Sequence, residues 1–173
     1  NLYFDLDMTR NYIVGCVRYG TKGATVFSRR GKGWDTTATV LVGSGQIGDS
    51  CPMTDNYIMS GTSIFENVNG VWQTSAVITL PQSGLHPGHG SGLTNTFATY
   101  NIDGHDKARL FRRDTNGWKS VETFDTGCAM GMALTEEFLR SSDIKGTKMS
   151  RRSVNGDTYG EPTADISNIY AGG

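Results

Sequence analysis

The chain has 173 residues, of which 23 are glycine and 4 are proline, and its formal net charge at pH 7 is −1. This charge gives no overall attraction to nucleic acid or to an anionic membrane, and no stretch of the sequence has the 18 or more apolar residues of a membrane-spanning helix. We therefore predict neither a nucleic-acid partner nor membrane insertion. Many glycines with few prolines are typical of an all-β protein with many tight turns.

One segment recurs along the chain. It reads ATVFSRRGKGW at residues 24–34, TSIFENVNGVW at 62–72, ARLFRRDTNGW at 108–118 and, in a degraded form, TKMSRRSVNGDTY at 147–159. Every copy has an apolar anchor before a turn and an aromatic anchor after it; the pairs are Phe27 and Trp34, Phe65 and Trp72, Phe111 and Trp118, and Met149 and Tyr159. The recurrence predicts a repeat architecture.

The turn inside each copy indicates a β-hairpin. The dipeptide Asn-Gly occurs at residues 69–70, 116–117 and 155–156, and Lys32 with Gly33 takes its place in the first copy. Both central residues of a type I′ turn need a positive φ, which Asn tolerates and Gly adopts at no steric cost. Asn-Gly between apolar runs is therefore a strong hairpin signal.

The repeat extends beyond the hairpin and divides the chain into four units, at about residues 1–42, 43–82, 83–126 and 127–173. The first unit reads as a strand, a turn at 8–11 and three further strands, and its phrase MTRNYIVG returns in the second unit as MTDNYIMSG. The third unit opens with SGLHPGHGSG, which we expect to be a loop. In the fourth, ALTEEFL at 133–139 could form a short helix, but its position in the repeat favours a strand.

The anchors after the turns, at residues 34, 72, 118 and 159, are separated by 38, 46 and 41 residues. A period of about 40 residues with four short strands predicts a β-propeller, in which each repeat is one four-stranded blade. Three forms of closure are consistent with four repeats. The chain could be a four-bladed monomer, half of an eight-bladed dimeric ring, or a piece of a larger propeller.

At the level of motifs, NYIVG at 11–15 followed by GATVFSRRGKGW at 23–34 resembles the FG-GAP type of propeller repeat, found in the integrin α-subunit head and in many secreted bacterial and protist proteins. The resemblance covers all four units and is strongest in the first two. It implies a non-enzymatic binding or adhesion module, outside the cell or at its surface, whose loops contact a protein or a glycan. The family's seven blades differ from the four units here.

The same family commonly carries a calcium loop of the type D-x-D-G-x-x-D. The only approximation in this chain is NIDGHD at residues 101–106, where the acidic positions are out of register. We expect a plain hairpin turn there, and hence no cofactor.

Motifs for catalysis are scarce, so we predict no enzyme and no catalytic or metal-binding residues. His86, His89, His105 and Asp106 could be imagined as a metal site, but an exposed polar loop is favoured because Pro-Gly separates the first two histidines. Neither a G-x-S-x-G elbow nor a phosphate-binding loop is present. The alternatives to adhesion are a sugar-binding lectin and a structural subunit that assembles into homo-oligomers.

Paired arginines are the candidate ligand-binding residues; they are Arg29, Arg30, Arg112, Arg113, Arg151 and Arg152. If equivalent hairpin tips lie on one rim of a propeller, these side chains could form a basic arc for a carboxylate, sulfate or phosphate group. The favoured alternative is that charged tips keep sheet edges from pairing with other sheets.

The three cysteines, Cys16, Cys51 and Cys128, lack the close spacing of a zinc site or a disulfide scaffold. One disulfide with one free thiol is an option. We favour three buried, reduced cysteines, because free Cys is among the most often buried residue types.

Overall fold

The computed structural model describes residues 5–16, 23–43, 50–78, 87–102, 107–125, 131–143, 146–152 and 158–165. Within these ranges the regular secondary structure consists of antiparallel β-strands and no helix is present, which confirms the all-β class. None of this part of the chain could therefore cross a membrane as a helix. The chain divides into two compact units, Asn1–Pro87 and Gly88–Gly173.

Two sheets make up the first unit. The first sheet contains β1 (Asp5–Met8), β2 (Tyr12–Cys16), β3 (Gly23–Arg30), β4 (Gly33–Trp34) and β5 (Thr39–Val42). Both β4 and β5 pair with β3, so the fourth strand of the meander is interrupted. The second sheet contains β6 (Tyr57–Ser60), β7 (Ser63–Val68) and β8 (Val71–Val77). A single bridge from Met53 to Ile58 stands where a first strand would lie.

Two sheets also make up the second unit, and both are four-stranded meanders. The third sheet contains β9 (Pro87–Leu93), β10 (Phe97–Ile102), β11 (Lys107–Asp114) and β12 (Gly117–Asp125). The fourth sheet contains β13 (Gly131–Leu134), β14 (Phe138–Asp143), β15 (Gly146–Arg152) and β16 (Tyr159–Asp165). The segment ALTEEFL is a strand, a turn and a strand, so the expectation of strand over helix is confirmed.

A turn closed by threonine joins the first two strands in the first, third and fourth sheets, and in the second sheet it joins the Met53 bridge to β6; we call it the threonine turn. The backbone N–H of the threonine donates to the carbonyl three residues on, at 2.7 to 2.9 Å. Its hydroxyl oxygen accepts the N–H groups two and three residues on, at 2.8 to 3.2 Å. An aromatic residue always ends the turn; the four pairs are Thr9 with Tyr12, Thr54 with Tyr57, Thr94 with Phe97, and Thr135 with Phe138.

The hairpin tips follow the predicted type I′ pattern in the second sheet. Asn69 and Gly70 both have positive φ, 53° and 85°, and lie between the paired residues Val68 and Val71. This prediction is confirmed.

Two other tips differ from the prediction by one residue. Arg30 pairs with Gly33, so the first tip is Gly31 with Lys32 rather than Lys32 with Gly33. Asp114 pairs with Gly117, so Asn116 ends the third tip and Gly117, with φ of 108°, begins the next strand. Asn155 and Gly156 lie outside the described residues.

The fourth copy is also out of step with the others by one residue. In the first three sheets the apolar anchor faces the same partner position on the second strand: Ile13 pairs with Phe27, Ile58 with Phe65, and Ala98 with Phe111. In the fourth sheet that position pairs Leu139 with Ser150. Ser150 therefore takes the structural place assigned to Met149, whose side chain lies on the opposite face.

Each unit has a core between its two sheets. In the first unit it is formed by the buried residues Val14, Cys16, Ala24, Val26, Leu41, Cys51, Met53, Ile58 and Phe65. In the second unit it is formed by Phe97, Leu110, Leu139 and Tyr159, with Met132 and Leu134 beside them.

The threonine turn gives a direct test of this fold. Thr94 is buried, and Thr94→Val would leave the N–H groups of Thr96 and Phe97 without their hydroxyl acceptor. We expect a loss of about 1–3 kcal/mol in the free energy of unfolding, measured by urea denaturation. Thr94→Ser keeps the acceptor and should retain most of the stability; a loss in Thr94→Ser with none in Thr94→Val would show that the methyl group, and not the hydroxyl, matters.

Candidate functional site

The predicted arginines lie beside the threonine turns. The strand register makes Arg29, Asn67, Arg113 and Arg152 equivalent, because each follows the residue paired with the turn aromatic. The backbone N–H of each donates to a carbonyl inside the turn at 2.7 to 2.8 Å. Matching the arginine pairs of the sequence copies aligns Arg30 with Arg113, whereas the strand register aligns Arg29 with Arg113. Arg30 therefore lies one residue closer to its hairpin tip than the arginine pairs implied.

Several of these arginine side chains bind their own chain. Arg29 Nη1 donates to the Arg10 carbonyl at 3.2 Å, and Arg152 Nη1 donates to the Glu136 carbonyl at 3.3 Å, so both brace a threonine turn. Arg30 forms an ion pair with Asp35, with 2.5 Å between Nε and Oδ1.

The other arginines also have neighbours. The guanidinium of Arg151 is 6.0 Å from the centre of the Phe138 ring, and Arg112 and Arg113 have polar or electrostatic partners of their own. The basic arc for an anionic ligand, formed by the six arginines, stays a prediction.

The aromatic anchors join neighbouring sheets. In the first unit Trp72 meets Tyr12 edge-on, with 5.3 Å between ring centres. In the second unit Tyr159 meets Phe97 in the same way at 5.5 Å. Both contacts place the anchor of one sheet against the threonine-turn aromatic of the sheet before it.

The remaining anchors are placed as follows. Phe65 is fully buried in the first core, and Phe111 is buried and stacks on Tyr100 at 5.6 Å. The half-buried anchors are Phe27, Trp34, Trp118 and Met149.

A cluster of two carboxylates and two thiols lies where β1 meets the segment before β6, and we call it the first-strand cluster. Asp5 Oδ2 accepts the N–H of Cys51 at 2.9 Å, and Asp7 Oδ2 accepts the N–H of Met53 at 2.9 Å. The second oxygen of Asp7 accepts the N–H of Met8 at 2.8 Å. Asp7 therefore uses both oxygens for the backbone, whereas the hydrogen bond seen for the Asp5 carboxylate uses one.

Both thiols of this cluster are buried and reduced, as predicted for Cys16 and Cys51; Cys128 lies outside the described residues. Cys16 faces Asp5 across the β1–β2 ladder and donates to Ser60 Oγ at 3.4 Å. Cys51 Sγ lies 3.5 Å from the Asp5 carbonyl. The contact with the Cys16 thiol, followed by burial and the nearby carboxylates, raises the pKa of Cys51 far above its ordinary value. Cys51 is therefore a neutral thiol rather than a nucleophile.

The corresponding place in the second unit has glycines instead of carboxylates. A Cβ added to Gly92 would lie 2.6 Å from Leu134 Cβ, and one added to Gly90 would lie 3.0 Å from the Met132 nitrogen. The sequence predicted a loop here, but residues 87–93 form β9. Glycine is required because β9 approaches β13 too closely for a side chain.

The histidine and calcium hypotheses fall largely outside the described residues. His86 is not described, and neither are residues 103–106 of the NIDGHD segment, which include His105 and Asp106. His89 lies on β9. Within the described ranges, no three His, Cys, Asp or Glu side chains converge in a way that could hold a metal ion.

Comparison with known proteins supports the fold. The chain superposes over 94% of its length on the periplasmic gluconolactonase PpgL of Pseudomonas aeruginosa, with a TM-score of 0.62, 12% sequence identity and 53% of that chain covered. It superposes over 91% on apo AztD from Citrobacter koseri, with a TM-score of 0.51, 12% identity and 46% of that chain covered. Both neighbours are β-propeller-like folds. The chain spans about half the length of each.

No protein-family model matches the chain, and no curated protein sequence matches it. The β-propeller-like fold is thus supported, whereas the FG-GAP family in particular has no support.

These neighbours overturn the functional expectation from the sequence. The resemblance to FG-GAP repeats implied a non-enzymatic adhesion module, but the superposition with a TM-score of 0.62 is on an enzyme. That expectation was wrong because it depended on the hairpin and the first-strand phrase. Both are determined by the packing of repeated sheets, which adhesive and catalytic propellers share.

Tyr100, on β10 of the second unit, allows a test of how burial affects a titratable side chain. Burial raises the pKa of the Tyr100 hydroxyl to about 12 from an ordinary value of 10.0, against a smaller opposite effect of Arg109. Above pH 10 the unfolded state therefore releases a proton that the native state keeps, so the free energy of unfolding must fall as pH rises.

We expect Tyr100 to account for about 1.4 kcal/mol of the decrease between pH 8 and pH 11. Urea denaturation at both pH values should show a smaller decrease for Tyr100→Phe than for the wild type, and an unchanged decrease for the exposed Val71→Ala. An unchanged decrease in Tyr100→Phe would contradict the raised pKa.

Proposed function

We propose that this chain belongs to an exported β-propeller enzyme that hydrolyses sugar lactones, with each of its four sheets forming one blade. The observation that carries the proposal is the superposition of 94% of the chain on a periplasmic gluconolactonase with a TM-score of 0.62. The chain covers 53% of that enzyme, so the complete propeller needs further blades. The name of the same neighbour supports an exported location.

The chemistry requires a base close to the lactone. A water molecule attacks the ring carbonyl carbon, the bond from that carbon to the ring oxygen breaks, and the ring oxygen takes a proton, giving a hydroxy acid. A positioned carboxylate that removes the proton of the attacking water contributes about 10²–10⁴-fold to such a reaction.

Asp5 is the residue that we assign to this role. Its carboxylate lies on the first strand of its sheet, is partly exposed, and is held in place through Oδ2 by the N–H of Cys51. Oδ1 is the atom that would accept the proton of water. Asp7 lies two residues along the same strand, but both of its oxygens already accept backbone N–H groups, so its role is structural.

The two carboxylates provide a matched pair of variants. Hydrolysis of glucono-δ-lactone, followed by pH-stat and corrected for the spontaneous reaction, should be detected for the wild type. Asp5→Asn keeps an acceptor for the Cys51 N–H and should lower kcat by about 10²-fold or more. Asp7→Asn should stay within a few-fold of the wild type.

The possible failures are distinguishable. An inactive wild-type protein would overturn the proposed function. An active protein in which Asp5→Asn and Asp7→Asn have equal kcat would overturn the assignment of Asp5 as the base but not the proposed function. Thermal unfolding of both variants provides the control for folding.

A further inference from the structure

The first sheet has an apolar face that the described residues of its own unit leave uncovered. Leu6 and Met8 on β1 are each 63% exposed, and Val40 and Val42 on β5 are 59% and 64% exposed. The register places Leu6 opposite Gly15, Gly15 opposite Thr25, and Thr25 opposite Val40. These side chains therefore lie on one face, together with Ile13 and Phe27. We call it the outer face.

Apolar side chains on this face are unusual for a surface in contact with water. An antiparallel sheet with one solvated face normally alternates apolar side chains towards the core and polar ones towards the solvent. Here the opposite face already supplies the core of the unit through Val14, Val26 and Leu41. Contiguous exposed apolar patches of this kind mark interaction sites.

The repeat shows what such a face is for. The register makes Ile58 and Phe65 of the second sheet equivalent to Ile13 and Phe27 of the outer face. Ile58 is 0% and Phe65 is 1% exposed, because both pack in the core against the first sheet. The outer face of the first sheet therefore corresponds to the face of the second sheet that packs against the sheet before it.

The hairpin of the first sheet also carries the two residues of a repeated contact, and among the described residues no aromatic ring is seen to complete it. Trp34 pairs with Arg29 across β3 and β4, as Tyr159 pairs with Arg152 in the fourth sheet. There, Tyr159 meets the Phe97 ring edge-on, and the Arg152 guanidinium lies 4.9 Å from the centre of the same ring. Trp34 and Arg29 are therefore equipped to bind a threonine-turn aromatic from a preceding sheet.

The fourth sheet offers a matching aromatic residue. Phe138 ends its threonine turn, as Phe97 and Tyr12 do in sheets that receive an anchor. Its neighbour Leu139 is buried in the core of the second unit. Because adjacent strand residues point to opposite faces, Phe138 and Met149 lie on the face of the fourth sheet that is turned away from that core.

We propose that the outer face binds the fourth sheet of a second copy of this chain, so that Phe138 of one copy packs against Trp34 and Arg29 of the other. Two observations favour a second copy. The chain covers 53% and 46% of the two propellers that it superposes on, and a second copy has about the length of the remaining half. A two-fold pair also covers both outer faces at once and closes the assembly.

The mass of the particle tests this proposal. Light scattering coupled to size-exclusion chromatography should give twice the 18.7 kDa of one chain. Leu6→Glu would bury an unpaired carboxylate in the contact and should raise the dimer dissociation constant by about 100-fold or more. Val71→Glu is the matched control, because Val71 is 66% exposed at the tip of β8 and outside the outer face; it should leave the dimer intact.

A wild-type protein that is monomeric at micromolar concentration would overturn the proposal. The outer face would then be covered within one chain or by a longer polypeptide, and not by a second copy. An open series of higher masses would also overturn it. A dimer that Leu6→Glu does not weaken would show that the copies associate elsewhere.

The identity of the contact is tested by a double-mutant cycle on the dimer dissociation constant. Trp34→Ala and Phe138→Ala should each raise this constant, and the double variant should raise it by less than the product of the two single effects, because the residues form one contact. Fully multiplicative effects would overturn the pairing of Phe138 with Trp34. Circular dichroism of each variant verifies that the sheets remain folded.

Discussion

Apolar side chains on both faces of a small sheet are the constraint from which the rest of this structure follows. Each unit contains two sheets, so each of the four sheets can cover only one of its faces by packing within its own unit. The contact that joins the sheets is the same in both units: a Trp or Tyr beyond the hairpin packs on the aromatic residue of the preceding threonine turn, as Trp72 does on Tyr12. Such an edge-on aromatic pair contributes about 0.5–1.5 kcal/mol beyond the area it buries.

The sequence predicted the parts of the fold that are encoded locally. The strands and the hairpins follow from alternating apolar residues and turn dipeptides, which act over fewer than ten residues. In the described part of the chain, two of the four sheets have the predicted four strands, and the other two have five and three. Errors occurred where a tertiary contact decides the register. Ser150 occupies the place of a Phe because the fourth sheet is paired one residue out of step with the sequence copies. The segment SGLHPGHGSG was predicted to be a loop, since nothing local indicates that Gly90 and Gly92 lie against β13.

The site was less predictable than the fold. The arginine pairs were the candidate ligand-binding residues because of their charge, yet Arg29 and Arg152 donate hydrogen bonds to carbonyl groups of threonine turns. Asp5 and Asp7 looked like ordinary alternating strand residues, and only the approach of Cys51 and Met53 distinguishes them. Asp7 accepts backbone N–H groups with both carboxylate oxygens and Asp5 with one. This difference cannot be derived from composition or spacing. The function was misjudged for a related reason, because a repeat motif records how sheets stack and not what their inner edges do.

The threonine turn has a consequence for how the protein folds. The hydrogen bonds by which the threonine N–H and hydroxyl oxygen close the turn lie within four residues, so the turn closes a very short loop and costs little chain entropy before any distant partner arrives. Proteins dominated by non-local β pairing fold slowly, whereas here each repeat carries its own early-forming nucleus at the same place. Folding can then begin in any of the four repeats and spread to its neighbour, as in other repeat proteins. A defect in one turn would delay its own repeat and leave the other three able to start.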